Sequence, residues 1–298
     1  MEPLPVIFDC DPGKDDSLAL FVALALPHVI DVLGITTVAG NVPVEHSSHN
    51  ARRIVEAAGR HDIPVYPGCA RPLLRHAVTA VDVHGTDGMG GSGLPDAEHP
   101  VEDFHAVEAL AGFLEEASTP LTIAAIGPLT NIALLISLRP DLVPAIGQLV
   151  VMGGARKGGN VTRNAEFNIF ADPHAARIVL AGKVPATIVP LDVTRRILPP
   201  QEWFDAMEGY GEPGRAVAAM WRESPVALHD VTVTGLLAWP ELYSLEACSV
   251  DVVWNDTGTL GRTVFSGEDG PLSVVKRVDQ RRLADRVVEA METYVASP

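Results

Sequence analysis

Val6-Ile7-Phe8-Asp9-Cys10-Asp11-Pro12-Gly13-Lys14-Asp15-Asp16 is the stretch on which the reading of this chain turns. A short apolar run of strand type enters it, Pro12-Gly13 turns the backbone, and the run from Ser17 to Leu26 leaves it as a predicted helix. Asp15 and Asp16 stand at the helix start, where the macrodipole favours negative charge. Four carboxylates therefore follow an apolar strand within eight residues. In an open α/β sheet, ligands bind beyond the carboxyl ends of the strands. Like charges held this close cost energy unless a cation sits among them. A hard divalent cation fits, and Ca²⁺ takes about six to eight oxygen ligands. Helix capping alone accounts for Asp15 and Asp16, but not for Asp11 or for Asp9 at the end of an apolar run.

Outward from this stretch the same alternation repeats. Val32 to Val38 predicts a strand, Val44 to Ala58 a helix, Leu121 to Ala125 a strand and Leu129 to Ser137 a helix. Leu149 to Val151 predicts a strand that ends at Met152-Gly153-Gly154. Pro173 to Leu180 predicts a helix with Pro at an allowed first-turn position, and Thr187 to Val189 another strand. Strands alternating with helices point to βαβ units and an open, mainly parallel, Rossmann-like α/β sheet flanked by helices. Between Ala77 and His99 the glycines of His84-Gly85-Thr86-Asp87-Gly88-Met89-Gly90-Gly91-Ser92-Gly93 predict a flexible loop. From Gln201 onward the chain reads as mainly helical, with strands at Ser249 to Val253 and Leu272 to Val275. No composition break divides it, so residues 1–298 are expected to form a single domain.

Composition narrows the function classes. Hydrophobic residues make up 47% and charged residues 20% of the 298 residues, enough for a sizeable core. The net charge of −16 repels phosphate backbones and anionic lipid, which argues against nucleic-acid and membrane partners. The longest apolar run, Leu18 to Leu26, has nine residues, about half of the roughly 20 needed to span a bilayer. Cys10, Cys69 and Cys248 are odd in number and none pairs at metal-ligand spacing. With no basic leader before the first strand, the expected location is the reduced cytoplasm.

Further polar residues fall where strands end. Asn41 follows the second strand. Asn160 and then Asn164-Ala165-Glu166-Phe167-Asn168 bring amides and a carboxylate to a polar loop, and His229-Asp230 precedes a helix. Such a set suits a polyhydroxylated ligand such as a sugar. Each residue also has a plainer explanation. Asn41 fits a turn, Glu166 a surface charge, Asp230 an N-cap, and a single His229 is more often structural. The spacing does not decide between them.

At these residues the chain resembles the inosine–uridine-preferring nucleoside hydrolase family, over essentially its whole length. The carriers are Asp9-Cys10-Asp11-Pro12-Gly13-Lys14-Asp15-Asp16, then Gly127-Pro128-Leu129-Thr130-Asn131, Met152-Gly153-Gly154 and Ala165-Glu166-Phe167-Asn168, in the family's order. The resemblance implies Ca²⁺-dependent hydrolysis of the N-glycosidic bond of a ribonucleoside. It implies that Asp11, Asp16 and Asp230 bind Ca²⁺ through carboxylates and Ile126 through its carbonyl, with Asp11 as general base. It implies that Asp15, Asn41 and Asn168 bind the ribose hydroxyls, and that Asn160 and Glu166, with Met152 nearby, hold the 5′ end. His229 would assist departure of the base, and His84 would close over it. A homodimer or homotetramer is implied as well.

Lys14 departs from a neutral expectation by placing a cation beside the proposed cation site, and it is read as turning outward to solvent. Trp221 is the aromatic residue considered for the base pocket, with ordinary core packing weighed against it. Two other functions compete. A haloacid-dehalogenase-like phosphatase also uses a strand-end Asp-x-Asp, but here Pro12-Gly13 follows and the Asp15-Asp16 pair would have no role. A non-catalytic Ca²⁺- or sugar-binding protein would not need the full set of Asp11, Asp16, His229 and Asp230.

Overall fold

Alternation along the first strand sets up two core layers. Val6, Phe8 and Cys10 point into one and Ile7 into the other, as the two-residue period of a strand requires. A computed structural model describes residues 2–223, 225–267 and 269–295. Among them, nine strands form one sheet: β1 (Leu4–Cys10), β2 (Ile30–Thr37), β3 (Val65–Tyr66), β4 (Leu121–Ala125), β5 (Ile146–Met152), β6 (Ala186–Val189), β7 (Tyr243–Val252), β8 (Thr263–Ser266) and β9 (Leu272–Val278). Their order across the sheet is β3-β2-β1-β4-β5-β6-β9-β7-β8. The seven strands β1 to β6 and β9 pair in parallel, while β7 runs antiparallel to both β9 and β8. The strand order reverses direction between β1 and β4, which leaves a crevice beyond their carboxyl ends.

The helices are α1 (Lys14–Leu24), α2 (Val44–Ala57), α3 (Val81–His84), α4 (Ala106–Glu116), α5 (Thr130–Leu138), α6 (Phe167–Ala171), α7 (Pro173–Leu180), α8 (Leu191–Thr194), α9 (Gln201–Met207), α10 (Gly211–Glu223), α11 (Val231–Ala238) and α12 (Gln280–Met291). α4, α5 and α7 cover one face of the sheet, and α1, α2 and α9 to α12 the other. All eleven residues of α1 are buried, as befits a helix packed on every side by the sheet and by α2, α10, α11 and α12.

Several boundaries differ from the sequence expectations. α1 starts at Lys14, ahead of the expected Ser17, because the Gly13 N–H donates to the Asp16 carboxylate (3.0 Å) and starts the helix early. β7 begins at Tyr243, ahead of Ser249. The two-residue β3 and the four-residue β8 carry too few residues for a periodic signal. The 77–99 stretch is not an open flexible loop. It contains α3, buries Met89 and Leu94, and is pinned by Asn50, whose side-chain amide donates to the carbonyls of Pro12 and Asp87.

Candidate active site

The turn after β1 and the start of α1 place Asp11, Asp15 and Asp16 at the floor of the crevice, and the start of α11 adds Asp230. Asp15, Asp16 and Asp230 each bring one carboxylate oxygen within 4.8 Å of the others. Asp11 lies beneath this trio and is fully buried. Its Oδ2 accepts a hydrogen bond from the Asn41 backbone N–H (2.6 Å), but its Oδ1 has no partner. The cradle around it leaves no room for a Cβ. One on Gly40 would lie 2.0 Å from Asp11 Oδ2, and one on Gly127 would lie 2.7 Å from Oδ1. The Asn41 side-chain amide then donates to Asp16 (3.1 Å) and to the Asp11 carbonyl (3.2 Å).

Electrostatics shows what these acids are built for. Burial, reinforced by Asp16, drives the Asp11 carboxyl well above the usual carboxylate range. Burial and the charge of Asp15 do the same to Asp230. Burial and Asp16 push Asp15 up to about 7. For Asp16, burial outweighs the hydrogen bonds it accepts and leaves it at about 6. Buried charges of one sign persist when they coordinate a metal. An unpartnered buried oxygen within an all-oxygen donor set fits a hard divalent cation, with the Ile126 carbonyl at the cavity wall as a further oxygen. Asp9 is not part of this set. It accepts from Thr36 Oγ1 (2.6 Å) and Asn131 Nδ2 (2.8 Å), on the α5 side of the sheet. No Asp-x-Asp pair therefore faces the crevice, which removes the geometric basis for the phosphatase reading.

Above the acids lies a cavity of about 450 Å³. Its lining includes Asp15, Asn41, His84, Ile126, Met152, Asn160, Glu166, Asn168, His229 and Asp230, so residues far apart in sequence meet in one place. Asn168 spends its amide hydrogens on the Ile126 carbonyl (2.8 Å) and the Met152 carbonyl (3.2 Å), which leaves Oδ1 as its free acceptor. Glu166 is the N-cap of α6. Its oxygens accept from the N–H groups of Asn168 (2.9 Å), Gly154 (3.0 Å) and Ile169 (3.2 Å). Burial outweighs these bonds and raises its carboxyl to about 7. Asn160 Oδ1 accepts from the Phe167 N–H (2.9 Å), so its amide hydrogens remain for the cavity.

Two histidines face the cavity. The Lys14 backbone N–H donates to His84 Nδ1 (3.1 Å), which places the proton of a neutral ring on Nε2. Burial, then the charge of Lys14, holds His84 down at about 4. His229 Nδ1 lies 2.7 Å from Thr194 Oγ1 at the end of α8, and burial, with Arg195 nearby, holds it at about 4 as well. Both rings are therefore neutral near pH 7.

Two expectations are corrected here. Lys14 does not turn to solvent: its side chain is 2% exposed, with Nζ 3.8 Å from Glu223 Oε2 at the end of α10. The start of α1 is enclosed by α10 and the glycine loop, so no outward path exists. Trp221 is core, not pocket. It is 1% exposed, stacks on Phe204 at 5.2 Å, and donates from Nε1 to the Val226 carbonyl (2.9 Å). It thus braces the Val226-Ala227 wall of the cavity from behind. Sequence reading gave Asn131 no role beyond its motif, and it missed Thr194 and Glu223 altogether. Each acts through a partner distant in the chain, and nothing in its local sequence signals that.

The chain matches the family model described as inosine-uridine preferring nucleoside hydrolase over residues 6–285. It is 38% identical to the pyrimidine-specific ribonucleoside hydrolase RihA of Photobacterium profundum, across 97% of this chain and 99% of that one. Among solved structures it resembles a plant nucleoside hydrolase, PpNRh1, with a TM-score of 0.88, 30% identity, and coverage of 97% of this chain and 99% of that one. It also resembles the purine-preferring ribonucleoside hydrolase from Gardnerella vaginalis, with a TM-score of 0.91, 27% identity, and coverage of 98% and 99%.

Proposed function

Because the chain belongs to the inosine-uridine preferring nucleoside hydrolase family and is a ribonucleoside hydrolase, we propose that it cleaves neutral ribonucleosides with Ca²⁺ held by Asp11, Asp15, Asp16, Asp230 and the Ile126 carbonyl. The observation that carries this reading is the unpartnered Asp11 Oδ1 beneath three converging buried carboxylates. The bound cation would neutralise this cluster and bind ribose hydroxyls and water. The sequence expectation gave Asp15 to the ribose alone. Its place in the converging trio supports a share in the cation as well.

The remaining chemistry belongs to the side chains. Water attacks C1′ while the bond from C1′ to the base nitrogen breaks, through an oxocarbenium-like transition state. Asp11 takes the proton of the attacking water, a role that needs its carboxyl ionised. The acids lining the cavity favour the positive charge that develops on the sugar. Asp15, Asn41 and Asn168 orient the secondary hydroxyls, Asn168 as acceptor through Oδ1. Asn160 and the last open lone pair of Glu166 meet the 5′-hydroxyl, near Met152. His84 offers its Nε2–H from the α3 side. His229, with its Nδ1 accepting from the Thr194 hydroxyl and its proton on Nε2, would offer that Nε2–H to the departing base and stabilise the charge it takes up. The base would lie among Thr79, Val83, Val226 and Ala227, small walls that set its width without an aromatic stack.

Substrate charge follows from the lining. It contains Asp15, Asp82, Glu166 and Asp230 and, among the described residues, no Lys or Arg, so a 5′-phosphate meets repulsion. The free, buried state of Cys10, Cys69 and Cys248 supports a reduced cytoplasmic setting. The single continuous sheet supports one domain, and the family resemblance supports a dimer or tetramer. The test is to incubate the Ca²⁺-loaded protein with inosine, uridine, their 5′-monophosphates and a generic phosphomonoester. Reducing sugar is expected from the nucleosides alone, and its loss in chelator is expected to reverse with Ca²⁺. Equal cleavage of inosine and its monophosphate would refute the substrate assignment, and full activity in chelator would refute the cation.

A further inference from the structure

A second group of metal-ligating side chains lies outside the cavity and has no part in the chemistry above. Glu56 stands in the last turn of α2, His61 on the turn that leads to β3, and His99 on the segment returning from the glycine loop toward α4. One ligand atom from each lies within 4.8 Å of the other two. His99 Nδ1 is 3.0 Å from Glu56 Oε1, and the two imidazole rings lie 5.3 Å apart.

We propose that Glu56, His61 and His99 bind a transition-metal dication of the zinc class. Two imidazoles and one carboxylate form a borderline donor set, which suits Zn²⁺, Co²⁺ or Ni²⁺ and not the hard cation of the acid cluster. Donor atoms about 2.0–2.1 Å from a tetrahedral zinc ion sit roughly 3.3 Å apart. His99 and Glu56 are already near that spacing, with a hydrogen where the ion would be. The carboxylate is also held in place before any ion arrives. Its oxygens accept from the backbone N–H groups of Glu98 (2.7 Å) and His99 (2.9 Å). His61 is steadied from below, because Arg52 donates to the carbonyls of Ile63 (2.9 Å) and His61 (3.4 Å). Three protein ligands leave a fourth position to water, since both histidines are exposed.

One feature works against the ion. Arg52 Nε lies 3.3 Å from Glu56 Oε1, and its charge opposes a dication. The site is therefore weaker than a closed four-ligand zinc site. Its consequence is mechanical. The ion would tie α2 to the return limb of the excursion that carries His84, and so stiffen that excursion at its base.

The experiment is calorimetric titration of the Ca²⁺-saturated protein with Zn²⁺, with Co²⁺ as a spectroscopic substitute. Wild type is compared with His61→Asn, His99→Asn and the double variant. One Zn²⁺ per chain is expected, weakened at least tenfold in each single variant and lost in the double. Tetrahedral Co²⁺ absorption bands and a Zn²⁺-induced rise in melting temperature should disappear with it. Nucleoside hydrolysis and the metal-free melting temperature should stay unchanged in the double variant, which shows that it folds. Zn²⁺ binding of equal strength in the double variant would overturn the proposal. So would a wild type that takes up no Zn²⁺ at millimolar concentration.

Discussion

Raising the pH should destabilise the metal-free protein, and a divalent cation should cancel the loss. The carboxyls of Asp15 and Asp16, at about 7 and about 6 in the folded protein against an ordinary 3.8, are both raised by burial. Between pH 4 and pH 7 the folded state therefore holds protons that the unfolded chain has released. Stability falls with rising pH wherever the native state binds more protons, by up to about 1.4 kcal/mol per pH unit for each group. Asp11 and Asp230, raised by the same cause, add to the loss with the same sign. From pH 5 to pH 8 Asp15 and Asp16 alone lose on the order of a few kcal/mol. At about 2–4 °C per kcal/mol for large domains, that is a fall in melting temperature of roughly 5–10 °C. A cation at a hundred times its dissociation constant restores about 2.7 kcal/mol. Its effect should grow with pH, because protons compete for the same oxygens. Thermal melts in chelator and in Ca²⁺ at pH 5, 6, 7 and 8 measure both trends. A melting temperature in chelator that stays flat or rises over this range would refute the reasoning. So would a Ca²⁺ shift as large at pH 5 as at pH 8.

Three substitutions probe the cavity from different sides. His229→Ala should cut kcat on inosine or uridine by about 10²–10⁴-fold, the usual span for general acid catalysis, while a p-nitrophenyl riboside, whose leaving group needs no proton, keeps most of its rate. Equal losses on both substrates would show that His229 only positions the sugar. Thr194→Val removes the hydroxyl 2.7 Å from His229 Nδ1 and should lower kcat on natural nucleosides by roughly tenfold, with KM nearly constant and the nitrophenyl substrate spared. An unchanged kcat would remove Thr194 from the mechanism. Lys14→Met keeps the buried stem but deletes its charge. Glu223 is 58% exposed and can turn to water, so the melting temperature should stay within a few degrees of wild type or rise. A loss of more than about 3 kcal/mol would show that the pair holds the fold together.

The legible parts of this protein were those with local causes. Strand type at Val6-Ile7-Phe8, a Pro-Gly turn and acids at a helix start are interactions between near neighbours, and they located both the parallel sheet and its crevice. Asp15, Ile126, Met152, Glu166 and Asp230 could be read because they fall at a strand end or helix start. The failures have distant causes. Lys14 looked free to reach solvent because nothing near it announces that α10 will close over it. Trp221 was open to both the base pocket and ordinary core packing, and its stack on Phe204 places it in the core. Asp9 stood in the same four-carboxylate stretch without an assigned role, and the docking of Asn131 and Thr36 turns it to the other layer. Glycines between Gly85 and Gly93 suggested freedom, yet Asn50 from outside that stretch and the buried Met89 within it fix the loop.

The placement of β9 has a consequence for how the protein is made. This strand, close to the end of the chain, lies between β6 and β7, and its pairing with β6 joins the two parts of the sheet. Asp230 likewise joins Asp15 and Asp16 from the far side of the sequence. A nascent chain still on the ribosome can form the β1-to-β6 half, but it holds an open sheet edge at β6 and an incomplete set of oxygens. The carboxylate set is complete only once α11 has settled on α1 and carried Asp230 to Asp15 and Asp16. Until β9 pairs with it, β6 presents an open sheet edge to mispairing.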